Sequence, residues 1–463
     1  MNIKIKSIAV SILFIGFSNI IYAQLNPAIT SWLQNTTGIK GRHYVSGNPV
    51  PIQDNDSVNV QTVLYSSNWV YIRTKGVPSY VTGPFLDGNP SITTDQDAIF
   101  KISLNPIANT GTLTATKGGN IGQFINGVAL FDFRDGAGWN PNTNALCGGP
   151  GNPPCPGGMG ALQDWNRDAV PAEKMGFDCA KGHPAMGNYH HHQNPSAFKL
   201  DLNVISTVCN LYDADGLYVI DSNIHSPLIG FAYDGFPIYG AYAYKEANGT
   251  GGIVRMKSSY QLRNISTRTT HADGAVVSPG PIVSATYPLG YFREDYEYIP
   301  TTPSTPDYLD EHNGRFCITP EYPNGIYCYF ATVNEKWNSA YPYIIGPNYY
   351  GIVNGLKVNT ITENVTQYNP FPTIVADKNL ALSDIAVFPN PSKEILAIQL
   401  NGLNKSDVNI YMYDMNGKLI KTAKIYAGNT ISYIDINTIY AGNYILEISD
   451  GVHKVSKKVI INK

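Results

Sequence analysis

The sequence has little charge and almost no imbalance between the two signs. Only 14% of the 463 residues are Asp, Glu, Lys or Arg, and 32 Lys and Arg stand against 35 Asp and Glu, a net charge of −3. Proteins that bind nucleic acid carry a basic surface, and an acidic tail is typical of a chain with a cationic partner. The composition therefore indicates neither kind of partner.

Short motifs of several enzyme classes are missing as well. The chain has no G-x-S-x-G, no G-x-x-x-x-G-K-[ST] and no H-E-x-x-H, so a serine hydrolase, a nucleotide-binding protein and a gluzincin all lack their signatures. It also has no C-x-x-C, which argues against a zinc ribbon or a thioredoxin-type site.

Tyrosine, glycine and proline are abundant, with 32, 43 and 31 residues. Aromatic side chains fit the half-buried surface of a sheet, and Gly and Pro form the tight turns between short strands. This composition predicts a mainly β fold.

The first 23 residues have the pattern of a signal peptide. Lys4 and Lys6 precede an apolar run from Ile8 to Ile21, and small Ala23 suits the residue before a cleavage site. The run is short of the ~20 apolar residues that a membrane span needs, and no later segment is apolar enough. We expect an exported protein with no transmembrane segment after cleavage.

Export would allow the six cysteines to form disulfides. Cys147 and Cys155 bracket a Gly/Pro-rich loop, and Cys317 and Cys328 flank a turn at Tyr322–Gly325, where they could face each other across a hairpin. The sequence alone leaves the pairing open.

The chain divides into two predicted domains. Residues 24–365 form a β-rich domain, with a short helix near Gln163–Lys174 and a Gly/Pro/Asn-rich loop over 134–160 that is longer than a strand connection requires. Residues 366–381 are typical of a linker, and 382–463 differ in composition, with no Cys or Trp.

Alternating apolar residues in this tail predict a small, Ig-like antiparallel β-sandwich. The predicted strands are Ile395–Leu400, Val408–Tyr413, Ile431–Ile436, Tyr444–Ile448 and Lys454–Ile461.

The tail resembles the type A C-terminal sorting domain of the type IX secretion system of Bacteroidota. The matching segments are Val387–Ser392, Val408–Lys418, Ala441–Tyr444 and Lys457–Ile461. The resemblance implies that the type IX machinery recognises residues 382–463, and that the protein is released or anchored at the outer surface of the cell.

Four of the nine histidines lie within GHPAMGNYHHHQNP at residues 182–195. The surrounding Gly, Asn and Pro oppose a helix, and on a strand His190 and His192 would share one face while His191 points to the other. The turn-prone residues after His183 could form a hairpin that returns it beside them.

Three imidazoles in this arrangement suit a transition metal rather than Ca²⁺ or Mg²⁺. The alternative is a solvated polar edge strand, with Tyr189 packed inward and the histidines exposed. The sequence leaves both open.

The same region resembles the YHYH family, named for the tetrapeptide that Tyr189–His192 occupies. The resemblance covers about residues 55–355. Its further segments are Gly182–Pro184, His225–Gly230, Asp234–Gly240, Leu309–Glu311, Asn313–Arg315, Thr319–Pro323 and Tyr341–Gly346. At the third position of the tetrapeptide this chain has His191 where the family has Tyr.

The combined prediction is a metal site with His183, His190, His192, His225 and Asp234 as candidate ligands, and Zn or Cu as the metal.

A second cluster supplies candidate catalytic residues. Asp310 or Glu311 is the candidate general base, and Arg315 is the candidate electrophilic or substrate-anchoring group. The alternative for these three is a structural cluster that caps a turn.

Two functions remain open. The first is a metal-dependent hydrolase or lyase that acts on an extracellular polymer. The second is a non-enzymatic extracellular module that binds carbohydrate or metal or mediates adhesion.

Overall fold

The computed structural model describes residues 25–87, 91–149, 151–158, 160–197, 209, 211–212, 215–302, 304–370, 385–400, 407–450 and 454–463. The predicted signal peptide and residues 371–381 of the predicted linker lie outside these residues. The chain separates into two compact units, one ending at Tyr368 and the other beginning at Asn369.

Regular structure in the described residues is almost entirely β-strand, as predicted. The strands are β1 (Lys40–Val45), β2 (Asn48–Ser57), β3 (Val60–Tyr65), β4 (Trp69–Thr74), β5 (Ala98–Ser103), β6 (Asn120–Phe124), β7 (Ala129–Phe131), β8 (Arg134–Asn140), β9 (Ala145–Cys147), β10 (Asn166–Asp168), β11 (His183–Ala185), β12 (Asn188–His191), β13 (Leu228–Ala232), β14 (Pro237–Tyr239), β15 (Tyr242–Tyr244), β16 (Ile253–Arg255), β17 (Tyr260–Leu262), β18 (Tyr296–Tyr298), β19 (Gly314–Cys317), β20 (Ile326–Phe330), β21 (Leu356–Val358), β22 (Thr366–Tyr368), β23 (Ile385–Phe388), β24 (Ile395–Leu400), β25 (Val408–Asp414), β26 (Leu419–Ile425), β27 (Ile431–Asp435), β28 (Gly442–Ser449) and β29 (Lys454–Ile461).

The helices that the structure describes are α1 (Pro27–Thr30), α2 (Ala169–Glu173) and a 3-10 turn at Arg293–Asp295. With four and five residues, α1 and α2 are far below the length of a helix that spans a bilayer. The helix predicted near Gln163–Lys174 is present but shorter, because Asn166–Asp168 forms β10 and Asp168 then caps α2.

Two sheets organise the first unit. An antiparallel five-stranded sheet has the order β21-β5-β4-β3-β22. Its inward residues, such as Val63 and Ile72, share one hydrophobic cluster with Phe231 and Phe330 of the second sheet. Because Thr366–Tyr368 pairs with β3, the first residues of the predicted linker belong to this sheet instead.

The second sheet has eight strands in the order β11-β12-β7-β6-β13-β14-β20-β19. Neighbours are antiparallel except for the parallel pairs β12–β7 and β14–β20. His191 lies opposite Leu130, which belongs to the larger hydrophobic core, whereas His190 lies opposite Ala129 on the other face. The two faces of β12 therefore have different surroundings.

Two disulfides are present, Cys147–Cys155 and Cys179–Cys209. The first closes the Gly/Pro-rich loop. The second ties down the segment that runs into β11.

Cys317 and Cys328 are buried free thiols. The hairpin at Tyr322–Gly325 forms, but β19 and β20 pair with Cys317 opposite Ile326 and Cys328 opposite Arg315. The two cysteines therefore lie diagonally on one face rather than directly across from each other.

The second unit is a small β-sandwich, as predicted. It has a three-stranded sheet in the order β23-β24-β27 and a four-stranded sheet in the order β26-β25-β28-β29. Inward residues of both sheets, among them Ile398 and Leu446, form one hydrophobic core. The sequence prediction omitted β23, which has only four residues, and β26, whose alternation is interrupted by the lysines at 421 and 424.

Candidate metal centre

A tight hairpin joins β11 and β12 and places His183 directly opposite His190. Met186 and Gly187 form its turn with φ of 49° and 84°. Positive φ at both central residues is the geometry of a type I′ turn, which matches the twist of the strands. A Cβ at position 187 would also lie 2.1 Å from Thr94 Oγ1, so glycine is required here for space as well as for conformation.

Three histidines converge at the end of this hairpin, and their ligating nitrogens all lie within 4.8 Å of one another. They are His183, His190 and His192, whose residues are 8%, 2% and 4% exposed. The predicted hairpin and the shared face of His190 and His192 are therefore both present.

Backbone carbonyls fix the orientation of two rings. His190 Nδ1 donates to the Asn188 carbonyl at 2.9 Å, and His192 Nδ1 donates to the Asp132 carbonyl. Because a carbonyl oxygen can only accept, each neutral ring carries its proton on Nδ1 and a lone pair on Nε2. The two Nε2 atoms lie 3.1 Å apart. Two neutral rings of this kind would repel each other at this distance unless a proton or a metal ion lies between the two Nε2 atoms.

Aromatic side chains support the rings. Phe131 stacks on His190 with ring centroids 3.8 Å apart, and Phe177 packs edge-on against His183 at 4.9 Å. Both nitrogens of His183 are buried and make no hydrogen bond. Buried polar atoms without a hydrogen bond are rare, and Nε2 of His183 instead lies 3.1 Å from the Glu173 carboxylate.

Glu173, the last residue of α2, also belongs to the cluster, and the sequence analysis missed it. Its Oε2 lies 3.1 Å from Nε2 of both His183 and His192. The side chain is 22% exposed, so the cluster meets the solvent on this side. The sequence does contain a signal for the helix that carries Glu173, because Asp168 is a favourable helix N-cap and marks the start of α2.

The charges of the cluster are coupled. Burial, with the neighbouring His183 and His192, lowers the pKa of His190 well below its usual value. Burial also acts against protonation of His192, but the Glu173 carboxylate outweighs it and raises the pKa of His192. Burial alone would raise the pKa of Glu173, whereas the two histidines lower it well below its usual range. Glu173 is therefore an anion beside the imidazoles.

The other face of β12 is structural. His191 Nδ1 donates to the Lys181 carbonyl at 3.0 Å, and His191 Nε2 accepts from the Tyr80 hydroxyl at 2.7 Å. Burial lowers the pKa of His191 to about 3, so this ring stays neutral. The Tyr189 hydroxyl donates to the buried Asp178 carboxylate. His191 thus points away from the cluster, as predicted.

The structure does not bring His225 or Asp234 to this cluster. His225 Nδ1 donates to the Ser226 carbonyl, and its ring packs against Tyr239. Asp234 lies in the turn between β13 and β14, where it accepts from the Tyr329 hydroxyl at 2.6 Å and from a backbone N–H. Of the five candidate ligands, the structure brings together His183, His190 and His192. Their separation from His225 and Asp234 follows from the strand order, because β13 and β14 lie beyond β7 and β6 in the sheet.

Asp310, Glu311 and Arg315 lie at or near β19, at the opposite edge of the eight-stranded sheet. Six strand spacings separate β19 from β12, roughly 29 Å along the sheet. Asp310 accepts from the Tyr327 hydroxyl and from backbone N–H groups, Glu311 is exposed, and Arg315 donates to backbone carbonyls. These contacts match a turn-capping cluster, and a catalytic role for the three residues stays a prediction.

The donor set fits a transition metal. Separations of 3.1 Å between ligand atoms are close to the edge of a tetrahedron with metal–ligand bonds of about 2.0 Å, which is about 3.3 Å. Imidazole nitrogen with carboxylate oxygen is a ligand set of Zn²⁺ and Cu²⁺, whereas Ca²⁺ and Mg²⁺ prefer oxygen alone. The three-histidine cluster could therefore hold a metal ion.

Comparison with known families now identifies the first unit. Residues 99–342, more than half of the chain, match the model of the YHYH protein family. The chain belongs to the YHYH family. In this YHYH protein the second and fourth residues of the tetrapeptide, His190 and His192, belong to the histidine cluster. The first and third, Tyr189 and His191, make hydrogen bonds in the core.

Residues 386–462 match the secretion system C-terminal sorting domain. A type IX sorting domain directs its protein to the cell surface or the extracellular space, and it does so by engaging the secretion machinery. This YHYH protein is accordingly a secreted or cell-surface protein.

A local similarity to a larger enzyme was also found. An endo-acting ulvan lyase of Formosa agariphila is 32% identical over 106 residues, which are 22% of this chain. The matched segment spans 20% of the lyase.

Proposed function

We propose that this YHYH protein is an extracellular metalloprotein whose three histidines bind one Zn²⁺ or Cu²⁺ ion. The observation that carries the proposal is the convergence of the buried His183, His190 and His192, whose ligating nitrogens all lie within 4.8 Å of one another. A bound ion would be a shared partner for the three imidazoles and for the Glu173 carboxylate beside them. Zn²⁺ is the preferred ion, because three imidazoles with an adjacent carboxylate suit its tetrahedral geometry.

The ion would support hydrolysis or lysis of an extracellular polymer. Catalytic zinc sites have three protein ligands and one open position, where the metal polarises a substrate oxygen or lowers the pKa of a bound water. Glu173 is suited to act as the general base, because it lies beside two of the ligands and is the most exposed member of the cluster. Export and the local similarity to an ulvan lyase support a polymer substrate.

The burial of the three rings favours a second candidate, a non-enzymatic module that binds metal or carbohydrate. If Glu173 itself fills the fourth position, the site is closed, as in structural zinc sites. The two candidates therefore differ in whether Glu173 binds the ion or a water on it.

Elemental analysis of protein purified without a polyhistidine tag tests metal binding. We expect close to one equivalent of Zn or Cu, and its loss in His190→Ala combined with His192→Ala. The matched control is His225→Ala, which removes another largely buried histidine away from the cluster and should leave the metal content unchanged. Equal metal contents in the two variants, or no uptake of added metal by the wild type, would refute the proposal.

Glu173→Gln separates the two candidates, because the amide keeps the size of the side chain but is a poor base and a weak ligand. A catalytic site should keep its metal and lose polymer cleavage, measured as release of unsaturated or reducing ends from acidic polysaccharides. If the site is closed, Glu173→Gln should instead bind the metal more weakly. The wild-type protein should then release no unsaturated or reducing ends from these polysaccharides.

A further inference from the structure

A cavity of about 230 Å³ lies between the two large sheets of the first unit. Strands β4 and β5 provide one side, and β6, β7 and β12 provide the other. Its polar lining consists of Thr74, Gln96, Asn120, Gln123, Asn188 and Lys357. This volume is below the usual 300–1,000 Å³ of drug-sized pockets and suits a ligand of one small ring.

Gln123 is the most deeply buried polar side chain of the lining that also has an unsatisfied atom. The residue is 1% exposed, and its Nε2 donates to the Gly127 carbonyl at 2.5 Å, which fixes the orientation of the amide. The Oε1 atom is buried and makes no hydrogen bond. This oxygen has almost no accessible surface, so the polar groups open to a ligand are the partly exposed side chains of Gln96, Asn120 and Asn188.

The charge of the lining has one sign. Lys357 is exposed on β21 at the rim of the cavity, and no Asp or Glu lines the cavity. Within the described part of the chain, Lys357 forms no salt bridge. An anionic group on a ligand would therefore meet a free ammonium group and no opposing carboxylate.

Apolar surface completes the cavity. Phe100 and Tyr233 stack at 6.4 Å and contribute to the wall together with Ala98 and Ala129. Amides and hydroxyls beside an aromatic wall suit a sugar ring, whose hydroxyls both donate and accept while its C–H groups pack against the ring faces.

We infer that this cavity binds a single sugar unit that carries an anionic substituent, a carboxylate or a sulfate. The sugar hydroxyls exchange hydrogen bonds with Asn120 and Asn188, and the anion pairs with Lys357. The inference goes beyond the proposed metal function and stands whether or not the metal centre is catalytic. The two sites are nevertheless neighbours, because Asn188 and His190 lie on the same face of β12.

Saturation-transfer NMR with three probes tests the inference on the full chain. D-glucuronate carries a carboxylate, D-glucose 6-sulfate carries a sulfate, and D-glucose carries no charge. We expect binding of at least one anion that is tighter than that of glucose. Lys357→Ala should weaken that binding about two- to fivefold, the usual effect of an exposed ion pair. Lys117→Ala is the matched control, since Lys117 is exposed and does not line the cavity.

Asn120→Asp provides a second variant, because it places a negative charge in the lining and should abolish binding of the anions. Tryptophan fluorescence during thermal unfolding checks that each variant is folded. A preference for glucuronate over the sulfate assigns the anion as a carboxylate, and the reverse assigns it as a sulfate. Binding of glucose as tight as that of both anions, equal effects of the Lys357 and Lys117 variants, or no binding of any probe would overturn the inference.

Discussion

Replacement of Tyr189 by Phe removes one hydroxyl from the interior of the YHYH domain. The Tyr189 Oη is 2.9 and 3.0 Å from the two carboxylate oxygens of Asp178. Asp178 also accepts from the backbone N–H groups of Gly83, Ala180 and Gly182. A hydrogen bond to a charged group contributes about 1.5–3 kcal/mol, and the free energy of unfolding should fall by that amount in Tyr189→Phe.

The assay is urea unfolding followed by tryptophan fluorescence. All five tryptophans precede residue 369, so the signal reports on the first unit alone. Burial raises the pKa of Asp178 to about 7, so the measurement belongs at pH 8, where the carboxylate is mostly ionised. The matched control is Tyr65→Phe. In the part of the chain that the structure describes, the half-buried Tyr65 has no hydrogen bond from its hydroxyl, and its replacement should cost less than about 0.5 kcal/mol.

A loss below about 0.5 kcal/mol, or no larger than that of Tyr65→Phe, would refute the reasoning. Metal content provides a second check, because Tyr189 lies on the face of β12 opposite the histidine cluster. Loss of metal with unchanged stability would show that Tyr189 acts on the site rather than on the core.

Three further predictions concern pH, disulfides and metal. Burial raises the pKa of Asp168 to about 8, so this group's contribution to stability is fully present below pH ~4 and is lost as the pH rises through about 8. In urea unfolding, the stability of Asp168→Asn relative to the wild type should therefore increase as the pH rises from 5 to 9. A difference in unfolding free energy that does not change with pH would contradict this. Replacing Cys179 and Cys209 by Ser should cost about 3.6 kcal/mol for their separation of 30 residues, against about 2.5 kcal/mol for Cys147 and Cys155 with a separation of 8. If calorimetry found the larger loss of stability for the Cys147–Cys155 pair, the stabilisation by these disulfides would not come from the loop entropy of the unfolded chain. Chelation should lower the unfolding midpoint, and Zn²⁺ at 100 times its dissociation constant should restore about 2.7 kcal/mol, whereas no recovery would mean that the ion does not stabilise the fold.

The alternation of side chains was the most informative feature of the sequence. It separated His190 and His192 from His191, and the turn residues after His183 indicated the hairpin that returns this histidine to the cluster. Strands β24 and β29 of the sandwich were predicted to the residue. All of these features depend on interactions within one strand or between adjacent strands, which a local pattern can specify.

Contacts that depend on packing between distant segments could not be predicted in the same way. Glu173 reaches the histidines only because α2 packs against β8 and β10. His225 and Asp234 share motifs with the histidine stretch, yet the strand order places them several strands away. Motif order along the chain gives family membership, whereas distance in space depends on the order of strands in the sheet.

The two faces of β12 together explain why the cluster is suited to bind a metal tightly. On the core face, Tyr189 and His191 hold the strand through buried hydrogen bonds to Asp178, Lys181 and Tyr80. On the other face, backbone carbonyls and Phe131 fix the His190 and His192 rings before any ion arrives. If the proposed metal function is right, an ion would bind without the entropy cost of ordering its ligands, which is the main cost that preorganisation removes. The core hydrogen bonds of Tyr189 and His191 would then contribute to metal affinity without contacting the metal.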